Sequence, residues 1–269
     1  MIDRILKERI TFCIPTMNRT KLLTRCIKSY IKNCKIKTDF VIPNNNDNKI
    51  AVTDEIKQII KDSGNTYIDR HNPIKSLGSQ RKFAFDIAQE VGNEYIFQAD
   101  DDCVVGAMAI EKMLAPMFND NRFWTIAVLG GYKAFMRDFK PNEIRFHAAI
   151  GVLWVTRLSI INKIGSIDSN LVIKEDSEWA AKVWHNGGWT AIVDANVKHA
   201  RHQPLESGTR TIPENYSEKW IECCQTIEDR YPNIFKNKKG KLYRQFKYPK
   251  LKFTLDKNLN LKYKVGHEH

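Results

Sequence analysis

The chain has 269 residues, of which 42% are hydrophobic and 28% charged, so it can bury a packed core and is unlike a disordered protein. No apolar run approaches the roughly 20 residues of a membrane-spanning helix, and the charged N-terminus lacks the apolar core of a signal peptide. The six cysteines show no CxxC pairs, which argues against a zinc or disulfide framework. These features predict a soluble cytoplasmic protein with reduced thiols.

Strands and helices alternate along the first 118 residues. Strands are predicted at residues 10–14, 40–43, 66–68 and 94–98, and helices at 20–30, 52–60, 78–90 and 107–118. This alternation with short connections predicts an α/β fold with a mostly parallel central sheet flanked by helices, as in Rossmann-like proteins. In such sheets ligands lie beyond the carboxyl ends of the strands, where Pro15, Thr16, the Asn-rich loop 44–48 and residues 100–102 fall.

The second half of the chain is less regular. Strands are predicted at residues 124–129, 149–156 and 189–193, and helices at 158–164, 176–186 and from Pro213 to about Arg230. From Lys236 to Lys264, 11 Lys or Arg accompany a single acid, so this segment carries +10 of the net charge of +12. We therefore expect a domain over residues 1–212 and a C-terminal helix with a basic extension over 213–269. Such a concentrated charge indicates a polyanionic partner, either nucleic acid or an anionic membrane surface.

Three consecutive carboxylates, Asp100, Asp101 and Asp102, end the predicted strand 94–98. Packing does not explain them, because an unpaired buried carboxylate is costly or takes up a proton. Carboxylate oxygens suit Mg²⁺ or Mn²⁺, whose remaining ligands are often substrate phosphates. The triplet therefore predicts a divalent metal site, with a solvated acidic turn as the alternative.

Six segments in order resemble the nucleotide-sugar glycosyltransferases of A-type fold, also called GT-A, and especially the large family 2 group. The segments are residues 14–19, the Gly-rich helix start 78–84, the triplet 100–102 that is similar to a DxD metal motif, the acceptor-side stretch 149–165, the acidic pair 175–176 and the strand end 197–199. The matches cover roughly residues 10 to 202. The resemblance implies transfer of a sugar from a nucleoside diphosphate sugar, with a UDP-sugar favoured.

The resemblance also implies roles for individual residues. The metal, Mn²⁺ or Mg²⁺, would be held by Asp100, Asp102 and His199, with His202 as an alternative to His199. The nucleotide sugar would be contacted by Pro15, Thr16, Arg19, Asn46, Arg81, Asp100 and Asp101. Asp176 would be the general base that takes the proton of the acceptor hydroxyl, with Glu175 as the second choice.

Each of these assignments has a structural alternative. Arg81 can be an ordinary surface arginine of a helix, and the loop around Asn46 an ordinary solvated turn. Asp176 and Glu175 can simply complement the dipole at a helix N-terminus. For the chain as a whole, a further hypothesis is a catalytically silent binding module on the same scaffold.

The basic extension bears on the acceptor. Its basic residues are interleaved with aromatics, and this combination suits phosphates and exposed bases. Our leading hypothesis is a bacteriophage enzyme that glycosylates a hydroxylated pyrimidine of DNA, 5-hydroxymethylcytosine or 5-hydroxycytosine, in the host cytoplasm. The predicted DNA contacts are Lys238, Lys239, Lys241, Arg244 and Lys247. The alternative is a bacterial cell-surface polysaccharide or lipopolysaccharide transferase whose basic tail contacts the membrane surface. The basic segment can also be no more than a solubilising, partly disordered tail.

Overall fold

A computed structural model describes residues 1–16, 19–43, 52–74, 76–128, 139–140, 142–148, 150–171, 173–199 and 216–265. Its helices are α1 Ile2–Ile5, α2 Thr20–Asn33, α3 Asp54–Asp62, α4 Leu77–Val91, α5 Ala109–Asn119, α6 Leu158–Ile164, α7 Glu175–His185 and α8 Tyr216–Arg230. Its first strands are β1 Arg9–Cys13, β2 Lys37–Val41, β3 Thr66–Ile68, β4 Tyr95–Ala99, β5 Cys103–Val105, β6 Phe123–Val128 and β7 Glu143–Phe146. The remaining strands are β8 Leu153–Arg157, β9 Trp189–Val193, β10 Val197–His199, β11 Phe235–Lys238, β12 Lys241–Arg244, β13 Leu251–Leu255 and β14 Leu261–Val265.

Ten of these strands form one sheet in the order β14-β13-β7-β9-β6-β8-β4-β1-β2-β3. The half that carries β4, β1, β2 and β3 is parallel, as is the pair β6 and β9. β8 runs antiparallel between β4 and β6, and β7, β13 and β14 are also antiparallel to their neighbours. The α/β class is confirmed, and the sheet is mixed rather than mostly parallel. Strands that are buried on both faces have the same apolar pattern in either direction, so their pattern does not specify direction.

Helices cover both faces of the sheet. On one face α2, α3 and α5 pack on a core in which Phe12 lies 4.4 Å from Tyr30 and 5.8 Å from Phe97, measured between ring centroids. On the other face α4, α6 and α7 enclose a second core, where the rings of Trp154 and Trp179 are stacked 5.9 Å apart. Burial of each such side chain contributes about 1.5–3 kcal/mol, so the two cores fix the sheet edge that carries the site.

The basic C-terminal segment forms two β-hairpins. β11 and β12 pair with each other and pack on α8, while β13 pairs with β7 and so extends the central sheet. The alternation of exposed Lys252 and Thr254 with buried Phe253 and Leu255 is the period of a one-sided strand, a signal that our prediction of a basic extension did not use. The two-domain division at residue 212 stays a prediction, and β13 contacts the first of those domains directly.

Two expectations from composition can be compared with the described residues. All six cysteines are buried, and none forms a disulfide bond. Within the described part of the chain, no helix combines the length and the apolar character needed to cross a bilayer.

Candidate metal and nucleotide-sugar site

The aspartate triplet lies at the carboxyl end of β4. β4 is central in the sheet, between β1 and β8, and all five of its residues are buried, so it holds the start of the triplet rigidly. Asp101 and Asp102 are 2% and 7% exposed, whereas the Asp100 side chain is 33% exposed. The alternative of a solvated acidic turn is therefore wrong, because two of the carboxylates are buried and the third is only partly exposed.

A single arginine forms ion pairs with two of these carboxylates. Arg19, just before α2, places Nη1 3.0 Å from Asp101 Oδ1 and donates from Nη2 to Asp102 Oδ2 at 2.6 Å. The Thr16 hydroxyl donates to Asp101 Oδ2 at 2.8 Å. Burial raises the pKa of Asp101 to about 7, although Arg19 and Thr16 oppose the shift. Thr16 and Arg19, which we predicted as nucleotide-sugar contacts, thus hold the triplet; direct contacts with a nucleotide stay a prediction.

Strand pairing brings His199 to the triplet. β10 pairs antiparallel with β5, which sets His199 opposite Cys103, the residue that follows Asp102. His199 Nε2 consequently lies 3.0 Å from Asp102 Oδ1. The pKa of His199 is raised by this contact, while burial opposes the shift. Burial disfavours the charged form of Asp102, but the contacts with His199 and Arg19 outweigh it and lower the pKa of that carboxyl.

Asp100, Asp102 and His199 have the geometry to hold a divalent metal. One ligand atom from each lies within 4.8 Å of the others. Asp102 Oδ1 is buried and receives no well-aligned hydrogen bond from the described residues, which leaves a lone pair available. Two carboxylates and an imidazole are a donor set that Mn²⁺ accepts, and the carboxylates also suit Mg²⁺. The predicted ligand set fits a metal; the alternative ligand His202 lies outside the described residues.

Arg81 connects the triplet to the acidic pair. It projects from α4, whose first turn is capped by the Ser76 hydroxyl accepting from Ser79 N. Arg81 Nη2 donates to Asp100 Oδ1 at 2.8 Å and Nε donates to Glu175 Oε1 at 3.1 Å. At 3% exposure it is buried, so the alternative of a surface arginine is wrong. Both observed partners of Arg81 are carboxylates. Its predicted contact with the nucleotide sugar stays a prediction.

Gly78 lets α4 approach the segment that precedes α7. A Cβ atom at Gly78 would lie only 2.2 Å from the Leu171 carbonyl oxygen, so a larger residue would push the two segments apart. This close approach is what brings Arg81 within reach of Glu175. Gly78, which belongs to the predicted Gly-rich helix start 78–84, therefore has a packing role.

Glu175 and Asp176 form the first turn of α7 and have different surroundings. Glu175 is buried, and burial raises its pKa to about 7, with Arg81 opposing the shift and the Asp176 charge adding to it. Asp176 is half-buried and accepts from Ser177 N at 2.6 Å. Burial, which opposes the charged form, is the largest influence on the pKa of Arg81 and on that of Asp100. The charge of Asp176 is a smaller influence and raises both pKa values. Asp176 is thus near the cluster and is the more accessible of the two acids.

The predicted DNA contacts lie on the first C-terminal hairpin. Lys238, Lys239, Lys241 and Arg244 are exposed on β11, β12 and their turn, and exposed Lys247 follows. The turn itself is close to the acidic pair, since Trp220 Nε1 of α8 donates to the Gly240 carbonyl oxygen and the Trp220 ring contacts Lys174. Sequence patterns did not reveal the roles of Trp220 and Lys174, which share no local motif.

Of the two remaining predicted contacts, Pro15 and Asn46, the structure describes only the first. Pro15 is buried directly after β1, at the same sheet edge as the triplet. Asn46 lies outside the described residues. Their contacts with a nucleotide sugar stay predictions.

Comparisons with known proteins agree with this geometry. Residues 11–165, more than half of the chain, match the family model of Glycosyl transferase family 2. The chain therefore belongs to glycosyl transferase family 2, and the predicted enzyme class, glycosyltransferase, is the class of this family. The predicted GT-A fold is confirmed. No protein of curated function matches the chain.

Solved structures show the same fold at low sequence identity. S. aureus TarS 1-349 has a TM-score of 0.59 and 15% identity, over 82% of this chain and 66% of that one. The same protein in complex with UDP-GlcNAc has a TM-score of 0.61 and 14% identity, over 82% and 67%. Mannosyltransferase PcManGT from Pyrobaculum calidifontis, in complex with GDP-Man and Mn²⁺, has a TM-score of 0.55 and 14% identity, over 81% and 61%. The chain thus spans 61 to 67% of the length of these three solved chains, and 40% of the chain in a further structure of S. aureus TarS.

Proposed function

We propose that the protein transfers a sugar from a nucleoside diphosphate sugar, with a UDP-sugar favoured, to an acceptor hydroxyl in a reaction that needs Mn²⁺ or Mg²⁺. The observation that carries this proposal is the convergence of Asp100, Asp102 and His199 on one point, beside an accessible carboxylate, Asp176. The similar structures that contain UDP-GlcNAc, or GDP-Man with Mn²⁺, support a nucleotide sugar as donor.

Each residue has a physical task in such a transfer. A metal held by Asp100, Asp102 and His199 would stabilise the negative charge of the departing diphosphate as a Lewis acid. Arg19 keeps Asp102 charged and oriented for this role. Asp176 accepts the proton of the acceptor hydroxyl, since it is the more accessible acid and a positioned base contributes roughly 10²–10⁴-fold.

Glu175 and Arg81 hold the two functional carboxylates in place. The Arg81 guanidinium bridges Asp100 on the metal side and Glu175 on the side of the base. Because Glu175 is committed to that bridge, it is less suited to take up a proton from an acceptor. Glu175 is therefore assigned to positioning rather than to proton transfer.

We further propose DNA as the acceptor, with the sugar added to 5-hydroxymethylcytosine or 5-hydroxycytosine during bacteriophage genome modification in the host cytoplasm. This is supported by the exposed Lys238, Lys239 and Lys241, which lie on a hairpin whose turn contacts α8 close to Asp176. Lysines at that place can neutralise backbone phosphates while a neighbouring base reaches Asp176.

A bacterial cell-surface transferase is the second candidate. Exposed basic residues also occupy the other hairpin, where Lys252 and Lys262 lie near the edge of the central sheet. β7, β9, β6 and β8 separate this hairpin from β4 and the triplet, so its basic surface suits contact with anionic lipid headgroups more than contact with an acceptor.

Mass spectrometry of reaction products tests both levels of the proposal. The protein is incubated with Mn²⁺, a panel of UDP-sugars and a duplex that contains 5-hydroxymethylcytosine, and the same duplex with plain cytosine serves as control. We expect a sugar mass on the hydroxylated duplex alone, and its loss when EDTA is added. Metal-dependent hydrolysis without DNA product would overturn the DNA acceptor only. A lack of both hydrolysis and transfer with every nucleotide sugar would favour the silent binding module.

A further inference from the structure

The helix that carries the acidic pair is anchored to the C-terminal helix α8. The Lys174 ammonium, directly before Glu175, lies 3.9 Å from the centroid of the Trp220 ring. Arg230, at the other end of α8, pairs with Asp168 at 2.5 Å in the segment that leads into α7. Two contacts, one from each end of α8, thus hold the segment before the acidic pair.

Lys174 has an unusual backbone conformation for a lysine. Its φ is +65°, in the left-handed region that favours glycine. A residue with a side chain persists there only when the surroundings compensate for the strain. The cation–π contact with Trp220 is such a compensation, and it needs the lysine side chain. This explains why a lysine can occupy a position at which glycine is less strained.

Trp220 also reaches the basic hairpin. Its Nε1 donates to the Gly240 carbonyl oxygen at 2.6 Å, at the turn between β11 and β12. Gly240 has a φ of +77°, and a Cβ atom there would lie 3.1 Å from Trp220 Cδ1. The hairpin, the tryptophan and the lysine therefore form a continuous series of contacts that ends at the residue before Glu175.

We propose that Lys174 and Trp220 form a latch that positions Asp176. The latch fixes the backbone of residue 174, and the Lys174 carbonyl oxygen in turn accepts from Glu178 N at 2.9 Å in the first turn of α7. The orientation of Asp176 therefore depends on a contact made by the C-terminal helix. Lys174 and Trp220 are positioning residues, and this role rests on the proposed function of Asp176.

Hydrogen exchange tests the latch without any substrate. Lys174→Gln removes the cation and Trp220→Leu removes the ring but keeps the lysine charge. In both variants we expect faster exchange of the Glu178 amide, by about threefold or more, because the first turn of α7 opens more often. Lys174→Arg keeps a cation over the ring, so its exchange should equal that of the wild type.

A matched control removes a similar contact elsewhere. Lys163 lies 4.5 Å from the Trp124 ring centroid, at the end of α6, and Lys163→Gln should leave the Glu178 amide unchanged. Unchanged exchange in both Lys174→Gln and Trp220→Leu would overturn the latch, whatever the activity of the protein.

Kinetics then separate positioning from donor binding. In Mn²⁺-dependent hydrolysis of UDP-GlcNAc, or of whichever UDP-sugar the product analysis identifies, both latch variants should lose about tenfold in kcat, since small displacements of a reacting group are costly. The donor KM should stay within about twofold, as no metal ligand is changed, and Lys174→Arg should restore kcat. A wild-type protein with neither hydrolysis nor transfer contradicts the proposed function, whereas an active wild type with fully active latch variants contradicts the latch.

Discussion

The donor side and the acceptor side of the proposed site are held in different ways. On the side that we assign to the donor, Asp100, Asp101 and Asp102 follow a buried strand of the central sheet, and opposite charges at Arg19 and His199 compensate them directly. This side depends on the sheet and on short ion pairs between neighbouring strand ends.

The acceptor side depends on helices. Asp176 sits on the first turn of α7, and the preceding Lys174 is held by Trp220 of α8. Arg81 is the link between the sides, because its guanidinium contacts a carboxylate on each. The metal ligands are placed by β4, β5 and β10, whereas in our proposal the base also depends on the C-terminal helix. Substitutions on each side should therefore affect different steps.

The largest effect is expected on the donor side. Asp102→Asn removes a charge from the metal ligand set, and we expect kcat to fall by about 10³-fold or more, since metal stabilisation of a leaving group is worth several kcal/mol. Calorimetric titration with Mn²⁺ should show that binding is lost. Asp62→Asn, which changes an exposed aspartate of α3, is the control and should match the wild type. Mn²⁺ affinity that survives in Asp102→Asn would disprove the ligand assignment.

A smaller effect of another kind is expected on the acceptor side. Asp176→Asn should lower kcat about 10²-fold, as expected when a general base is removed. The donor dissociation constant, measured by calorimetry with Mn²⁺ present, should remain within about threefold. Glu175→Gln is the comparison: loss of kcat there, with Asp176→Asn still active, would exchange the roles of the two acids.

The two basic hairpins allow a test of location against charge alone. Replacing Lys238, Lys239 and Lys241 by Gln should weaken binding of the hydroxylated duplex by about tenfold. It should also reduce the slope of log affinity against log salt by about 3, one unit for each phosphate contact. The matched triple variant on the other hairpin replaces Lys252, Lys257 and Lys262. Equal losses in both variants, measured by fluorescence anisotropy, would show that total charge rather than position governs binding.

The smallest effect concerns a carboxylate that belongs to neither side. Glu111 of α5 is buried, its Oε2 has no hydrogen-bond partner among the described residues, and burial raises its pKa. The folded state therefore binds this proton more tightly than the unfolded state, so the stability contribution falls as pH rises through the raised pKa. Glu111→Gln should increase the free energy of unfolding by about 1 kcal/mol at pH 8 and change it little at pH 4.

Urea unfolding at the two pH values measures this difference. The exposed Glu90→Gln on α4 is the control and should be neutral at both. An equal effect of Glu111→Gln at pH 4 and pH 8 would mean that ionisation of this group is not the cause.

Much of the fold follows from local patterns. The apolar run before Asp100 predicts β4, and the alternation of strands and helices predicts the parallel half of the sheet, because both depend on the period of side chains along the chain. Strand direction in the other half does not follow, since β8 and β9 are apolar whichever way they run. The short β5, directly after the aspartates, is not predicted, and β10 is expected only as the strand end 197–199 of the family resemblance.

The site divides in the same manner. The chemistry of the Asp100, Asp101 and Asp102 carboxylates is determined by residue type, so the prediction of a metal as their partner comes from the sequence. Only the tertiary structure decided which carboxylates pair with Arg81 and that Arg19 pairs with two members of the triplet. It also decided that the Lys174 ammonium contacts the Trp220 ring. These pairs are distant along the chain, so their distances depend on how whole helices pack and not on any local pattern.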